Sequence, residues 1–534
     1  MPIPPFVGRR AAERRYRPGR APGTVEDMTS QVTALATDPR AGTGNALAPL
    51  ARLPLAAVGT VVLTVMLLGS RNYGHFFDEA YFVVAGRDHP AAGYFDQPPL
   101  VPLLAAGLDR LAHGNLVVLR LPATFAVVAI TLLTGLIARE LGGRRWAQVL
   151  AAAAVAMSLV SSVGHWLATY SIDPLWWTVI TYLLVRWGRA RDDRLLLAAG
   201  AVTALSLLTK FLVPALWIAV AIGALACGPR RLLTRPALWG GAALAVVAIL
   251  PTLWWQAGHD WAYTRMGAVV RAEWPGGAGF ALVGLFGAGL LIGLPLLLVG
   301  AVALLRSPAL RPYRFLGVAL VLVVAAIVIT HGRSYYLASV YALPMAAGAV
   351  AAQSWAGRRR RGGSTALRIV AIVALLGSAA SWIAASPVWS PGVAERIGTP
   401  PLRAPATMLI DGDTMLKGLS DTVVAAYRSL SPADRDGLVI VAESYPFAAA
   451  VDYYGRDQGL PRAYSGHRAY YYFGRPPDDA RSVLWIGDPS PVLDGAFRHR
   501  RAVPVPGEDG DPVVRLYTDR TAAWPDLWQR LRSQ

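Results

Sequence analysis

Apolar and polar positions follow one another along this chain in long blocks. Apolar runs of about 20 residues, the length that crosses a bilayer as an α-helix, recur from position 53 to 386 with short polar stretches between them. The first covers 53–69. Further runs fall at roughly 115–138, 146–164, 173–188, 195–209, 211–227, 236–254, 279–305, 314–330, 335–354 and 366–386. The pattern predicts about eleven helical spans. Between 195 and 227 two short segments read either as separate spans or as one bent hairpin, and changing that count by one moves everything after it to the other side of the membrane.

Two stretches break the pattern. Between 71 and 114, DEAYFVVAGRD and PPLVPLLAAGLDRLAHG read as interfacial helices, the second amphipathic with Pro98–Pro99 at its start. From about 388 the pattern becomes that of a water-facing domain. There GLSDTVVAAYRSL and SYPFAAAVDYYGRD read as helices, and GLVIVAE, SVLWIGD and PVVRLYTD as strands. That order predicts a small α/β domain with a partly parallel sheet. The expected organisation is a disordered basic tail over 1–50, a transmembrane part over 51–387 with its first outer loop at 71–114, and the α/β domain over 388–534.

Composition sharpens the picture. Charged residues make up 16% of the 534 and hydrophobic ones 54%, against about 25% charged in ordinary soluble domains. The net charge of +18 in a soluble protein would suggest nucleic acid. Here the arginines cluster in alternate loops, at Arg139/Arg144/Arg145, Arg186–Arg194, Arg230–Arg235, Arg306–Arg314 and Arg358–Arg368. The opposite loops hold Lys210, Arg265, Arg271 and Arg333. This asymmetry puts the N-terminus in the cytoplasm, with the acidic loop and the C-terminal domain outside, in a multi-pass membrane protein. The single Cys227 excludes an internal disulfide. Neither GxGxxG nor GxxxxGK[ST] accompanies the strands, so nucleotide binding has no support there.

Candidate chemistry concentrates outside the first span, where RNYGHFFDEAYFVVAGRDHPAAGYFDQPP sets carboxylates among aromatics. Acids at a membrane face make a functional site the default reading. Asp78 suits a general base, with helix capping or a salt bridge as the plain alternative. Glu79, one residue on, points away from Asp78 in a helix and reads equally as supporting group or ion-pair partner. Asp96 in GYFDQPP is the second carboxylate. Two acids from one loop can share a divalent cation or hold an acceptor hydroxyl, and Asp96 also suits a turn. Tyr94 belongs either to a sugar site or to the interfacial aromatic belt. Lys210 in LLTKFLVP either snorkels or meets a lipid phosphate. His331, Arg333, Tyr335 and Tyr336 in HGRSYYLASVYALP join a cation to tyrosines, a set suited to a phosphate carrying a glycan. His259 in QAGHDW offers a substrate contact or a metal ligand, but no His/Cys spacing marks a zinc site and no metal is assigned. In AYSGHRAYYYFGRPP, tyrosine faces suit sugar stacking or turn and core packing alike.

Taken in order, FFDEAYF, GYFDQPPL, LLTK and HGRSYYLASVYALP resemble the bacterial family 39/83 glycosyltransferases of the GT-C superfamily, relatives of the protein O-mannosyltransferases and of the lipid A aminoarabinose transferase. ESYPFAAAVDYYG and AYSGHRAYYYFGRPP are similar to C-terminal segments of family 39 members. The resemblance implies a GT-C-like membrane fold and inverting transfer of a sugar from a polyprenyl-phosphate donor to a glycan, lipid or protein acceptor at the outer face. Asp78 matches the family's first-loop catalytic aspartate, and Asp96 its second acidic position. The aminoarabinose transferase carries glutamate followed by lysine there, whereas this chain has Asp96–Gln97, which leaves Lys210 and Arg333 as the better phosphate contacts. The competing class is a transporter or flippase of polyprenyl-linked sugars. Such proteins show paired halves and buried mid-membrane charges; this chain has no evident repeat and gathers its acids in an outer loop.

Overall fold

The computed structural model describes residues 47–273, 277–358, 361–394, 396, 404–504 and 513–532, and within them the apolar runs become helices. Several match the expected bounds within a few residues, among them Arg52–Gly69, Leu116–Glu140, Arg194–Thr209, Val213–Cys227 and Pro236–Ala257. Three expected runs are broken. The first becomes Arg145–Ala156 and Leu159–Val163, the second Ala278–Phe286 and Gly293–Arg306, and the third Ser334–Val340 and Ala342–Arg358. Among the described residues, four helices are long and apolar enough to cross a membrane, or five if the bent pair at 334–357 is one span. Four more apolar helices are shorter, including the two between 194 and 227. The expectation of about eleven spans therefore requires counting short and broken helices as crossings. The basic tail expected over 1–50 lies, up to position 46, outside the described residues.

Small residues let these helices touch closely. A Cβ on Gly200 would sit 2.2 Å from the Gly241 Cα, so Arg194–Thr209 and Pro236–Ala257 meet backbone to backbone. The same device joins the two helices of the 71–114 stretch, Phe77–Asp88 and Leu100–Leu111. There a Cβ on Gly86 would lie 2.0 Å from the Pro102 carbonyl oxygen. Such contact is what small residues at helix crossings permit.

The C-terminal region carries the expected mixed sheet. Strands β1 (Leu438–Ala442), β2 (Ala463–Ser465), β3 (Ser482–Ile486), β4 (Phe497–Ala502) and β5 (Val514–Arg520) run in the order β2-β1-β3-β5-β4. β1 is parallel to β2 and β3, with Ile440 opposite Ala463 and Leu484, whereas β5 is antiparallel to β3 and β4. Every residue of β1 and β3 is buried, as fits strands covered on both faces. β2 and β4 were not expected. β2 has three residues and β4 is FRHRRA, exposed after Phe497, so neither carries an apolar alternation.

After β1 comes Tyr445–Ala450, continued by a wider helical turn over Val451–Gly455, and this segment clamps the stretch 71–114. Tyr454 Oη lies 2.6 Å from His75 Nδ1, Tyr453 Oη donates to Asp109 at 3.2 Å, and Arg87 donates to the Asp452 carbonyl at 3.1 Å. Asp88 binds both Arg87 and Arg456. The 71–114 loop and the C-terminal sheet region thus share one packed interface.

Candidate active site

Glu79 organises the site without lining it. The Phe77–Asp88 helix begins after Phe76, and the Glu79 carboxylate turns back to accept from Phe76 N at 2.8 Å. It also accepts from Leu167 N (2.8 Å) and from Arg120 Nε and Nη2 (2.9 and 2.8 Å). Both side chains of the Arg120–Glu79 pair are wholly buried. The remaining Arg120 donors reach the carbonyls of Ser70, Tyr73 and Gly74. Burial pushes the Glu79 acid upward, but the Arg120 charge and hydrogen bonds outweigh it and hold Glu79 below its usual range. Glu79, expected in the catalytic set, thus has its oxygens engaged in pinning the loop and is not among the residues lining the adjacent cavity. At 3.6 residues per turn the neighbouring side chain projects about 100° away. Fixing Glu79 inward directs Asp78 into a cavity.

That cavity, of about 110 Å³, gathers Asp78, Asp96, Lys210, Arg333, Tyr335 and Tyr336 from three distant parts of the chain. Asp78 accepts from Tyr445 Oη at 2.7 Å and more weakly from Tyr170 Oη at 3.4 Å. Asp96 accepts from Tyr81 Oη at 2.8 Å. Lys210 caps the Arg194–Thr209 helix, with its Nζ 4.1 Å from the Tyr336 ring centre and 5.4 and 5.7 Å from those of Tyr335 and Tyr170. The tyrosine faces supply cation–π contact and hold the ammonium in place.

The C-terminal region closes the cavity with Tyr445 and Arg468. Arg468 has φ 51° and ψ −130°, a conformation that β-carbon-bearing residues rarely adopt. Strain of this kind gathers at functional positions. Its guanidinium stands 4.9 Å from the centre of the Tyr445 ring. Burial raises the Asp78 pKa; the Tyr445 bond, the Arg468 charge and the Tyr170 bond pull against it without cancelling it. Burial likewise pushes Asp96 up to about 6, against Arg468 and Tyr81.

Other candidates fall elsewhere. Tyr94 and His259 line a separate cavity. His331 is exposed, at φ 56°, and is not among the residues lining the Asp78 cavity. Tyr445, Arg468, Tyr81, Tyr170 and Tyr263 were missed individually. Tyr445 and Arg468 do lie in the two C-terminal segments that the resemblance covers.

An apolar groove of about 740 Å³ adjoins the site and shares Tyr170 and Tyr335 with it. Its walls include Leu159, Trp166, Phe286, Leu290 and Trp382. As for a divalent metal, no three His, Cys, Asp or Glu side chains among the described residues converge as ligands. Asp78 and Asp96 share their cavity with Lys210, Arg333 and Arg468. Three cations around two carboxylates repel a further dication, so the residues present do not fit one and suit an anion instead.

Comparison with known proteins gives a partial family match and a fold. Residues 96–255 match the family of dolichyl-phosphate-mannose-protein mannosyltransferases. Over 86% of this chain and 97% of the other, the structure resembles ArnT from Cupriavidus metallidurans in its apo state, with TM-score 0.55 and 13% identity. The same protein bound to undecaprenyl phosphate gives TM-score 0.52 and 15% identity over the same shares. No curated protein sequence matches the chain. The chain shares the fold of ArnT, and its residues 96–255 resemble the dolichyl-phosphate-mannose-protein mannosyltransferases.

Proposed function

We propose that this GT-C-fold chain is an integral membrane glycosyltransferase that moves a sugar from a polyprenyl-phosphate donor to an acceptor hydroxyl, by inverting single displacement with Asp78 as base, at the outer face of a bacterial cell membrane. The observation that carries this reading is the meeting of two carboxylates with Lys210, Arg333 and Arg468 in one cavity beside an apolar groove. A lipid-linked phosphosugar needs both halves of that arrangement, a groove for its hydrocarbon and cations for its phosphate. ArnT in complex with undecaprenyl phosphate supports this kind of donor.

The steps follow from ordinary chemistry. The acceptor oxygen attacks the anomeric carbon while Asp78 takes the hydroxyl proton. The bond from the anomeric carbon to the phosphate oxygen breaks, and the electron pair leaves with the phosphate. Lys210 and Arg333 meet the charge that develops there. Arginine grips phosphate oxygens in pairs, while lysine contributes a point charge. Asp96, buried and bonded to Tyr81, orients the sugar or the acceptor hydroxyl. Arg468 and Tyr445 favour the ionised form of Asp78 and offset part of the rise that burial causes. In this reading the chain divides at about 387, and the part from 388 onward lies outside the cell and completes the site.

The test is transfer by the full chain in lipid vesicles, from labelled polyprenyl-phosphate hexoses or pentoses, with a cell-envelope extract supplying acceptors. Label reaching an acceptor with the wild type, and lost with Asp78→Asn, supports the reading. Label that crosses the bilayer with its linkage unchanged identifies a flippase and overturns it.

A further inference from the structure

A second cavity lies directly behind the first. It measures about 210 Å³, roughly the volume of seven liquid water molecules at about 30 Å³ each. Phe95 lines it next to Asp96, and Ala469 lines it next to Arg468, so a single thickness of backbone separates the two cavities. Gln256 ties them together. Its Nε2 donates to the Tyr94 carbonyl at 2.9 Å, and its Oε1 accepts from Tyr263 N at 3.0 Å. Tyr94 faces the rear cavity and Tyr263 the front one.

The walls are rings locked in pairs. His89 stacks on Phe473 at 4.2 Å and 12°, and Trp255 on His259 at 3.9 Å and 14°. Phe95 lies near-parallel to Tyr472 at 5.9 Å and 18°. Polar bonds hold the rings in place. Tyr472 Oη accepts from Arg265 at 2.6 Å and from Arg532 at 2.7 Å. His259 Nδ1 sits 2.7 Å from the Trp255 carbonyl, and Tyr94 Oη donates to the His89 carbonyl at 3.1 Å. Burial and the Arg462 charge bring the His89 pKa to about 4, so this imidazole is neutral near pH 7. No aspartate, glutamate, lysine or arginine is among the described residues lining the cavity.

We infer that this rear cavity is a saccharide subsite, which takes one neutral pyranose ring of a glycan acceptor. Aromatic faces pack against the C–H face of a sugar, while imidazole nitrogens and ring edges meet its hydroxyls. The lack of lining charge disfavours a phosphate or a uronate. An aliphatic tail has no use for two imidazoles, and an extended polypeptide needs a longer groove than a cavity the size of one ring. The inference rests on the transferase reading and narrows it, since a glycan seated behind Asp96 and Arg468 is one residue away from the cavity that contains Asp78.

The test is saturation-transfer NMR on the full chain in lipid nanodiscs, with methyl α-D-mannopyranoside, methyl β-D-glucopyranoside and methyl β-D-galactopyranoside as probes. At least one glycoside should receive saturation at its ring C–H protons. The effect should weaken about tenfold in Trp255→Ala and in Phe473→Ala, because each removes a platform. Trp255→Phe, which keeps a ring, should retain it, as should Asp78→Asn. Absence of saturation for all three glycosides in the wild type overturns the inference, with no variant needed. So does equal saturation in wild type, Trp255→Ala and Phe473→Ala. The two readings fail separately. Asp78-dependent transfer without this binding pattern removes the saccharide subsite alone, and the binding pattern without any transfer removes the transferase reading alone.

Discussion

Tyr445 donates a 2.7 Å hydrogen bond to Asp78 across 367 positions of sequence. The bond stabilises the carboxylate form against burial, which raises the Asp78 pKa. A base works only when ionised, so the rate falls as pH drops through that pKa. Removing the donor in Tyr445→Phe raises the pKa further. The acidic limb of the pH–rate profile should then move to higher pH. An unmoved limb in initial-rate measurements across pH would show that Tyr445 does not act on the base.

Asp78→Asn should lower transfer about a thousandfold, the order contributed by a positioned general base. The variant should fold as the wild type does, since an amide replaces the acid at equal volume. Initial rates beside circular dichroism check both statements.

Arg468→Gly separates strain from function. Glycine accepts φ 51° freely, so thermal stability should hold or rise by about 1 kcal/mol. Transfer should nevertheless fall about a hundredfold, because a cation facing the reacting groups is gone. Equal activity in the two proteins would assign Arg468 to the fold alone.

Glu79→Ala leaves Arg120 buried without its counter-charge and should cost about 3–5 kcal/mol. The double variant Glu79→Ala with Arg120→Met should recover part of that loss. Thermal unfolding of the wild type, Glu79→Ala, Arg120→Met and the double variant in detergent measures the coupling, and additive losses would argue against the pin.

Asp96 links stability to pH in the opposite sense from a salt-bridged acid. Its folded pKa of about 6 lies above the ordinary value of 3.8, so the folded state holds its proton more tightly than the unfolded chain does. That contribution is complete below about pH 4 and is lost as pH rises through about 6. Asp96→Asn should flatten this part of the curve of melting temperature against pH.

Much of the membrane part was legible because apolar periodicity is local. Pro236–Ala257 was expected as 236–254, and the ambiguous stretch at 195–227 became two short helices interrupted around Lys210. Asp78, Asp96, Lys210 and Arg333 were each conspicuous as charge beside apolar sequence, and they meet in one cavity. What stayed hidden depends on convergence. Nothing around Tyr445 announces that its phenol reaches Asp78, and an arginine in a glycine-like conformation looks like any arginine. The partner of Glu79 left a faint sign, since Arg120 is the one charge in LVVLRLPATF. His331 lies apart from its neighbours Arg333, Tyr335 and Tyr336, which line the cavity while it is exposed, a difference that sequence proximity does not show.

The clamp between the 71–114 loop and the C-terminal sheet region has a consequence for biosynthesis. Ribosomes build from the N-terminus, so Asp78, Asp96, Lys210 and Arg333 are made well before Tyr445 and Arg468. A nascent chain holds its carboxylates without the phenol and guanidinium that face them. The cavity is whole only once this later-made region has folded onto the loop. Assembly itself sets the moment at which the complete cavity exists.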